Sequence, residues 1–135
     1  MSSGMVSRWP VVVTLPVDAP DRDADGRLTD AAVDSLFARA RAAYFDRCAT
    51  IDAPTVGVRR TTARPGDAVA GDSVTVSVNV VEVRRDSFTM ESRIRPTDRD
   101  GIAATAWASL SPGGEVSKAM RDEFIALAHA ASHIH

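Results

Sequence analysis

Hydrophobic residues change their spacing several times along the chain, and each change marks an element. Val11 to Val17 is a short apolar run flanked and interrupted by Pro10 and Pro16, which predicts a strand. Beyond the polar stretch that follows, Val33, Leu36, Phe37, Ala40 and Tyr44 recur at helical spacing. Thr29 or Asp30 is placed to cap that helix, which runs to about Arg47 before Asp52-Ala53-Pro54 closes the connection. Its alanines (Ala38, Ala40, Ala42, Ala43) suggest close approach to a sheet that encloses it. From Thr55 onward the period is that of strands. Thr55 to Thr62 predicts one, and the segment from Ala63 to Asp72 is a connection marked by Pro65-Gly66 and Gly71-Asp72. In Ser73 to Val83, Val74, Val76, Val78 and Val80 share one face while Thr75, Ser77 and Asn79 share the other. Arg84-Arg85-Asp86 turns this strand into the alternating Ser87 to Ile94, a hairpin with long arms. A last strand spans Ile102 to Leu110, and Ser117 to about His133 reads as an amphipathic helix with Met120, Phe124, Leu127, Ala128 and Ala131 on one side. The order is therefore strand, buried helix, four antiparallel strands, terminal helix. This is an α+β arrangement in which a curved antiparallel sheet of about five strands wraps around one long helix.

Composition narrows the classes of function without choosing among them. A chain of 135 residues fits one domain, residues 1–135, with a real core and flexible ends at 1–10 and 133–135. Hydrophobic residues at 44% and charged residues at 25% are ordinary globular values, and a net charge of −2 provides no general attraction to nucleic acid. The apolar N-terminal run is too short for a membrane span or a signal peptide, so a cytoplasmic location is expected. One cysteine, Cys48, excludes an intramolecular disulfide and a cysteine-based zinc cluster, and it reads as a small buried residue. His129 and His133 could share a helix face near the end of the chain, where solvated side chains explain them better than a metal does. There is no internal repeat, low-complexity tract or phosphate-binding glycine loop.

The stretch that carries candidate chemistry runs from Asp21 to Phe45. Asp21, Asp23 and Asp25 with Gly26 form a turn signal, because Asp side chains bond nearby backbone N–H groups and Gly tolerates positive φ. An acid is thus delivered close to a helix start, where backbone N–H groups can polarise a carbonyl oxygen while a carboxylate attacks or activates water. A calcium loop is excluded: its twelfth position, counted from Asp21, is Ala32 and carries no acid. Arg59, Arg60, Arg64, Arg84 and Arg85 can form a basic rim for phosphates, and solvated strand ends explain them as well. Phe88 and Trp107 are candidates for an acyl site, with core or dimer packing the more general role of large aromatics.

In these features the chain resembles the hotdog-fold acyl-CoA thioesterases, particularly the 4-hydroxybenzoyl-CoA thioesterase-like branch, over Val11 to about Leu110. The residues that carry the resemblance are D21-R-D23-A-D25-G26 after the first strand, Tyr44-Phe45 at the helix end, A63-R-P-G-D67, S73-V-T-V-S-V-N-V-V and S87-F-T-M-E-S-R-I. The resemblance implies an acyl-thioester hydrolase acting on acyl-CoA or an acyl-carrier-protein thioester, with no cofactor. It implies Asp23 as nucleophile or general base, and N–H groups of the Gly26, Arg27, Leu28, Thr29 and Asp30 stretch around the thioester oxygen. Asp34, one turn inside the helix, is the second candidate, since other hotdog branches use a carboxylate there. Arg59, Arg60, Arg84 and Arg85 are the expected substrate-binding arginines. A homodimer or dimer of dimers is implied, with substrate between subunits. Many relatives follow the glycine with a His-Val-Asn-Asn-type segment, whereas this chain has R27-L-T-D30. The alternative is a noncatalytic hotdog protein that binds acyl groups or serves as a dimeric interaction module.

Overall fold

The computed structural model describes residues 9–132. Of the segments 1–10 and 133–135 expected to be flexible, residues 1–8 and 133–135, and with them His133, lie outside the described residues, and Pro10 is buried. Five strands form one antiparallel sheet: β1 (Val11–Pro16), β2 (Gly57–Pro65), β3 (Ser73–Val83), β4 (Phe88–Pro96) and β5 (Ala104–Ser111), in the order β1-β3-β4-β5-β2. Helix α1 (Asp30–Asp46) lies on the inner face and α2 (Lys118–Ser132) closes the chain. Each element expected from the periodicity is present.

The alternation of β3 and β4 works as the sequence indicates. Val74, Val76 and Val78 are fully buried beside Met90 and Ile94, with Val80 half-buried at the bulge where the register shifts. Against them α1 buries Val33, Leu36, Phe37, Ala40 and Tyr44. Truncating a ring such as Phe37 would cost on the order of 3–5 kcal/mol through lost burial and a residual cavity. Two expectations are corrected. Ala38 and Ala42 face solvent, because the helical period carries them to the side away from the sheet; Ala40 is fully buried and Ala43 packs partly against the core. Strand β2 begins and ends later than expected, running through Ala63 and Arg64 to Pro65, which pairs with Ala104. Its long β5 partner extends it, and proline is tolerated because β2 is an edge strand. Ala53–Thr55 forms a 3-10 turn instead of opening the strand.

Helix α1 packs chiefly against β1 and β3 and touches β5 only lightly. The inner side of β2 is therefore left uncovered, all nine of its residues being exposed, while the inward-facing Ala104, Ala106, Ala108 and Leu110 of β5 are buried. The 66–72 connection must carry the chain from edge strand β2 back to β3 beside β1. It is held by Gly66 N–H to the Ala103 carbonyl, Asp67 N–H to that of Ile102 and Val69 N–H to that of Gly26, at 3.0, 2.8 and 2.9 Å. A Cβ at Gly66 would lie 2.1 Å from the Ile102 oxygen, so this crossing requires glycine.

Helix α2 is fastened to the far end of α1. The Glu123 carboxylate accepts from the N–H groups of Ala49 and Thr50 at 2.8 and 3.0 Å and from the Thr50 hydroxyl at 2.5 Å. Phe124 packs between Tyr44 and Phe88, with ring centroids at 6.2 and 5.0 Å. Burial alone would raise the Glu123 carboxyl; the hydrogen bonds from Thr50 and Ala49 outweigh it and hold the group below its ordinary value. A depressed carboxyl contributes stability that is present above the unfolded value, near pH 4, and is lost as pH falls through the folded one. Glu123→Gln is expected to lower stability by about 1 kcal/mol at neutral pH, and the gap from wild type should close below about pH 4. Chemical denaturation of both proteins across that range checks it; a gap independent of pH would contradict the role of the charge.

Candidate functional site

The acidic loop folds around the side chain of Asp23. Its Oδ1 accepts from the N–H groups of Asp25 and Arg27 at 2.9 and 3.0 Å, its own N–H donates to the Arg27 carbonyl, and its carbonyl accepts from Gly26. Gly26 takes the positive φ, 80°, that this tight return demands. The second oxygen of Asp23 has no hydrogen-bond partner among the described residues, and the residue is exposed. Asp21 accepts at its side chain from the Asp18 N–H and at its carbonyl from Thr29, tying both ends of the loop together.

Arg22, to which the sequence pattern assigns no role, locks this loop to the 66–72 connection. Its Nε donates to the Val69 carbonyl at 2.9 Å, and its Nη2 donates to that of Gly71. An arginine in a polar loop carries no signal of such a contact, because the acceptors are backbone groups 47 and 49 residues away.

The loop delivers the chain to α1. Thr29 is the N-cap: its hydroxyl accepts from Ala32 N–H at 3.1 Å and its carbonyl from Val33 N–H. The N–H groups of Gly26, Arg27 and Thr29 are engaged within the loop, and the Leu28 side chain is buried in the core. Those of Asp30 and Ala31 have no acceptor among the described residues, as expected for a helix start.

Those two residues open onto a groove of about 340 Å³ over the lightly covered half of the sheet. It is lined from α1 by Asp30, Ala31, Val33, Asp34 and Phe37, and from the strands by Thr61, Thr62, Ala63 and Ala106. Asp30 and Asp34, one turn apart, thus stand beside unpaired N–H groups over a partly apolar floor. Asp23 is not among the lining residues of the single chain.

The expected arginines divide. Arg59, Arg60 and Arg84 surround one recess of about 490 Å³ with Glu82, Asp86, Ser87, Thr89 and Ser109. Arg59 pairs with Asp86 at 3.2 Å and Arg84 with Glu82 at 3.0 Å, all exposed, while Arg60 has no acidic partner among the described residues. Arg85 stands apart, paired with Glu115 at 2.8 Å. Arg60 pairs in register with Ser109 and Thr61 with Ala108, so recess and groove lie on opposite faces of the β2 edge. Trp107 is on the outer face, half-buried, donating from Nε1 to Glu91 at 3.1 Å with Arg64 over its ring. Phe88 is core. Burial and the nearby charge of Glu123 push the half-buried Cys48 thiol up to about 12, so it is protonated and unreactive at neutral pH. Among the described residues no group of His, Cys, Asp or Glu is arranged to hold a metal ion, and no helix is long and apolar enough to cross a membrane.

No protein-family model matches the chain, and no curated protein matches it in sequence. Solved structures do match. A Thermus thermophilus thioesterase complexed with coenzyme A and Zn is 27% identical, with a TM-score of 0.76 over 90% of this chain and 96% of that one. A thioesterase-superfamily structure from Jannaschia is 16% identical, with a TM-score of 0.76 over 90% and 84%. A gentisyl-coenzyme A thioesterase is 16% identical, with a TM-score of 0.67 over 84% and 98%. The curved five-stranded sheet with its two helices is the hotdog fold of these thioesterase-superfamily structures.

Replacing Arg22 by Met is expected to free the acidic loop from the 66–72 connection without unfolding the sheet. Amide hydrogen exchange checks this: protection at Val69 and Arg27 should fall, while that of β3 and β4 stays as in wild type.

Proposed function

We propose that the chain is an acyl-thioester hydrolase of the 4-hydroxybenzoyl-CoA thioesterase-like kind, acting on acyl-CoA or an acyl-carrier-protein thioester. The observation that carries the reading is the groove at the start of α1, where unpaired N–H groups of Asp30 and Ala31 adjoin carboxylates. In this reading the thioester oxygen takes up those N–H groups as negative charge develops on it. A carboxylate then removes a proton from a water that attacks the carbonyl carbon, or attacks that carbon itself; the C–S bond breaks and the thiolate leaves, and in the second route water hydrolyses the mixed anhydride, so that the water's protons go to the thiol and the acid that are released. The likeness to a Thermus thermophilus thioesterase holding coenzyme A supports the substrate class.

Asp23, which stands outside the groove of the single chain, is our choice for that carboxylate on its D-x-D position and on its geometry, one oxygen being fixed by two N–H groups and the other free; it would act on a thioester lying between subunits. Asp34, inside the groove, is the second candidate. Arg59, Arg60 and Arg84 are proposed to meet the phosphates of the carrier, with Arg60 the cation that has no acid to displace. Because that recess and the groove lie on opposite faces of β2, a thioester reaching both must pass the β2 edge or span two subunits. A homodimer is the reading we favour, since β2 is a nine-residue edge strand exposed along its whole length, a template for pairing with another chain.

Turnover of a panel of aliphatic and aryl CoA thioesters is expected from wild type. Asp23→Ala should lower kcat by about 100-fold or more with folding retained, and Asp34→Ala by less. The reverse order would move the role to Asp34, and saturable binding without turnover would establish the noncatalytic alternative. Light scattering coupled to gel filtration is expected to give at least two copies; a monomer at working concentration would remove the shared-site reading.

A further inference from the structure

Neither helix lies on the outer face of the sheet: α1 and α2 both pack against inward-facing side chains. Register sets Arg93 of β4, Thr105 of β5 and Arg64 of β2 in one row across that face, with Arg95 two residues further along β4. Arg60 stands four residues from Arg64 on the same side of β2, about 13 Å away. All of these arginines are exposed, and none has an acid within ion-pair distance among the described residues. Glu91, the carboxylate set among them, accepts the Trp107 N–H at 3.1 Å. Asp98 and Asp100, in the turn after β4, pair with neither Arg93 nor Arg95. In a chain of net charge −2 this is a local excess of cations. Indole rings hold Arg93 and Arg64 in place: their guanidinium carbons lie 5.4 Å from the centre of the Trp9 ring and 5.7 Å from that of Trp107. Stacking of this kind restricts a guanidinium and leaves its N–H groups for an anion.

Charge selects the occupant of this face. A second copy would bring the excess of cations onto its like, and the bases of a nucleic acid would find both indole rings already covered by arginine. An acidic protein surface meets neither objection. The recess of Arg59, Arg60 and Arg84 belongs to the same face, so the cations continue from it over a length greater than one phosphate group neutralises. We infer that the outer face of the sheet docks an acidic carrier protein, which delivers the thioester on its own phosphopantetheine arm. The phosphate of the arm would take the recess, and carboxylates of the carrier would meet Arg64, Arg93 and Arg95. This rests on the thioester reading of the groove. Pairing of two copies along the β2 edge uses backbone groups and leaves the face open on each subunit.

Calorimetry of the full chain with a bacterial acyl carrier protein in its apo form, which lacks the arm, separates the face from the groove; butyryl-CoA reports the groove alone. Wild type is expected to bind the apo carrier, more weakly as salt rises. The double variant Arg93→Gln, Arg95→Gln should bind it at least about tenfold less tightly while keeping its affinity for butyryl-CoA, which also shows that it is folded. Arg93→Lys with Arg95→Lys keeps the charge and should retain most of the binding. No binding of the apo carrier to wild type, or equal binding by the glutamine variant, overturns the docking and leaves the thioester site standing. So does tighter binding of an oligouridylate than of the carrier, or a lower oligomeric state in the glutamine variant by light scattering, since these give the face to nucleic acid or to a second copy. A wild type that binds the apo carrier, yet neither binds butyryl-CoA nor hydrolyses a butyryl thioester on CoA or on the carrier, overturns the thioester reading itself.

Discussion

The groove depends on the unequal way in which α1 covers the sheet. The helix buries Val33, Leu36, Phe37, Ala40 and Tyr44 against a concave surface whose valines, Val74, Val76 and Val78, belong to β3. A single helix about 10 Å across cannot cover five strands spaced about 4.8 Å apart. Where it settles over β1 and β3, the inner side of the edge strand β2 is left exposed beyond β5. Small residues on that side, Ala104, Ala106 and Ala108 in β5 and Ala63 in β2, keep it from filling itself. Large side chains there would close the space over which Asp34 and the helix start now stand.

What faces that space is set by the chain's entry into α1. Asp23 uses one carboxylate oxygen to build the loop, Thr29 caps the helix, and the two N–H groups between the cap and the first helical bonds remain available at the groove. The loop is held from outside as well as from within, because Arg22 and Gly26 both bond the connection that crosses from β2 to β3. The crossing itself depends on Gly66 meeting the backbone of Ile102. Local turn chemistry and long-range topology thus fix the same few residues. The arginines follow a different rule: most of those along β2 and the β3–β4 turn find an acid or a ring at the surface, where such pairs contribute little to stability.

Much of the architecture was legible in the chain because it rests on local periodicity. The valine alternation of β3, the helical spacing from Val33 to Tyr44 and the turn residues at 84–86 each report one face or one reversal, and all three are where the pattern puts them. The signal failed where a distant partner decided. Strand β2 runs through residues that read as a turn because β5 extends it, and Ala38 and Ala42 are exposed because the sheet lies to one side of α1.

The candidate site divides along the same line. The sequence by itself determined that Asp23 would build a turn beside Gly26 and that a capped helix would follow, since side-chain bonds to neighbouring backbone and left-handed glycine are properties of a few adjacent residues. Only the tertiary structure decided that Asp34 and Phe37 share a groove with Thr61, Ala63 and Ala106, that Arg22 holds residues 69 and 71, and that the partly buried Arg41 lies over the Phe37 ring. Those relations join segments tens of residues apart, and they exist only once the sheet order and the position of α1 upon it are fixed.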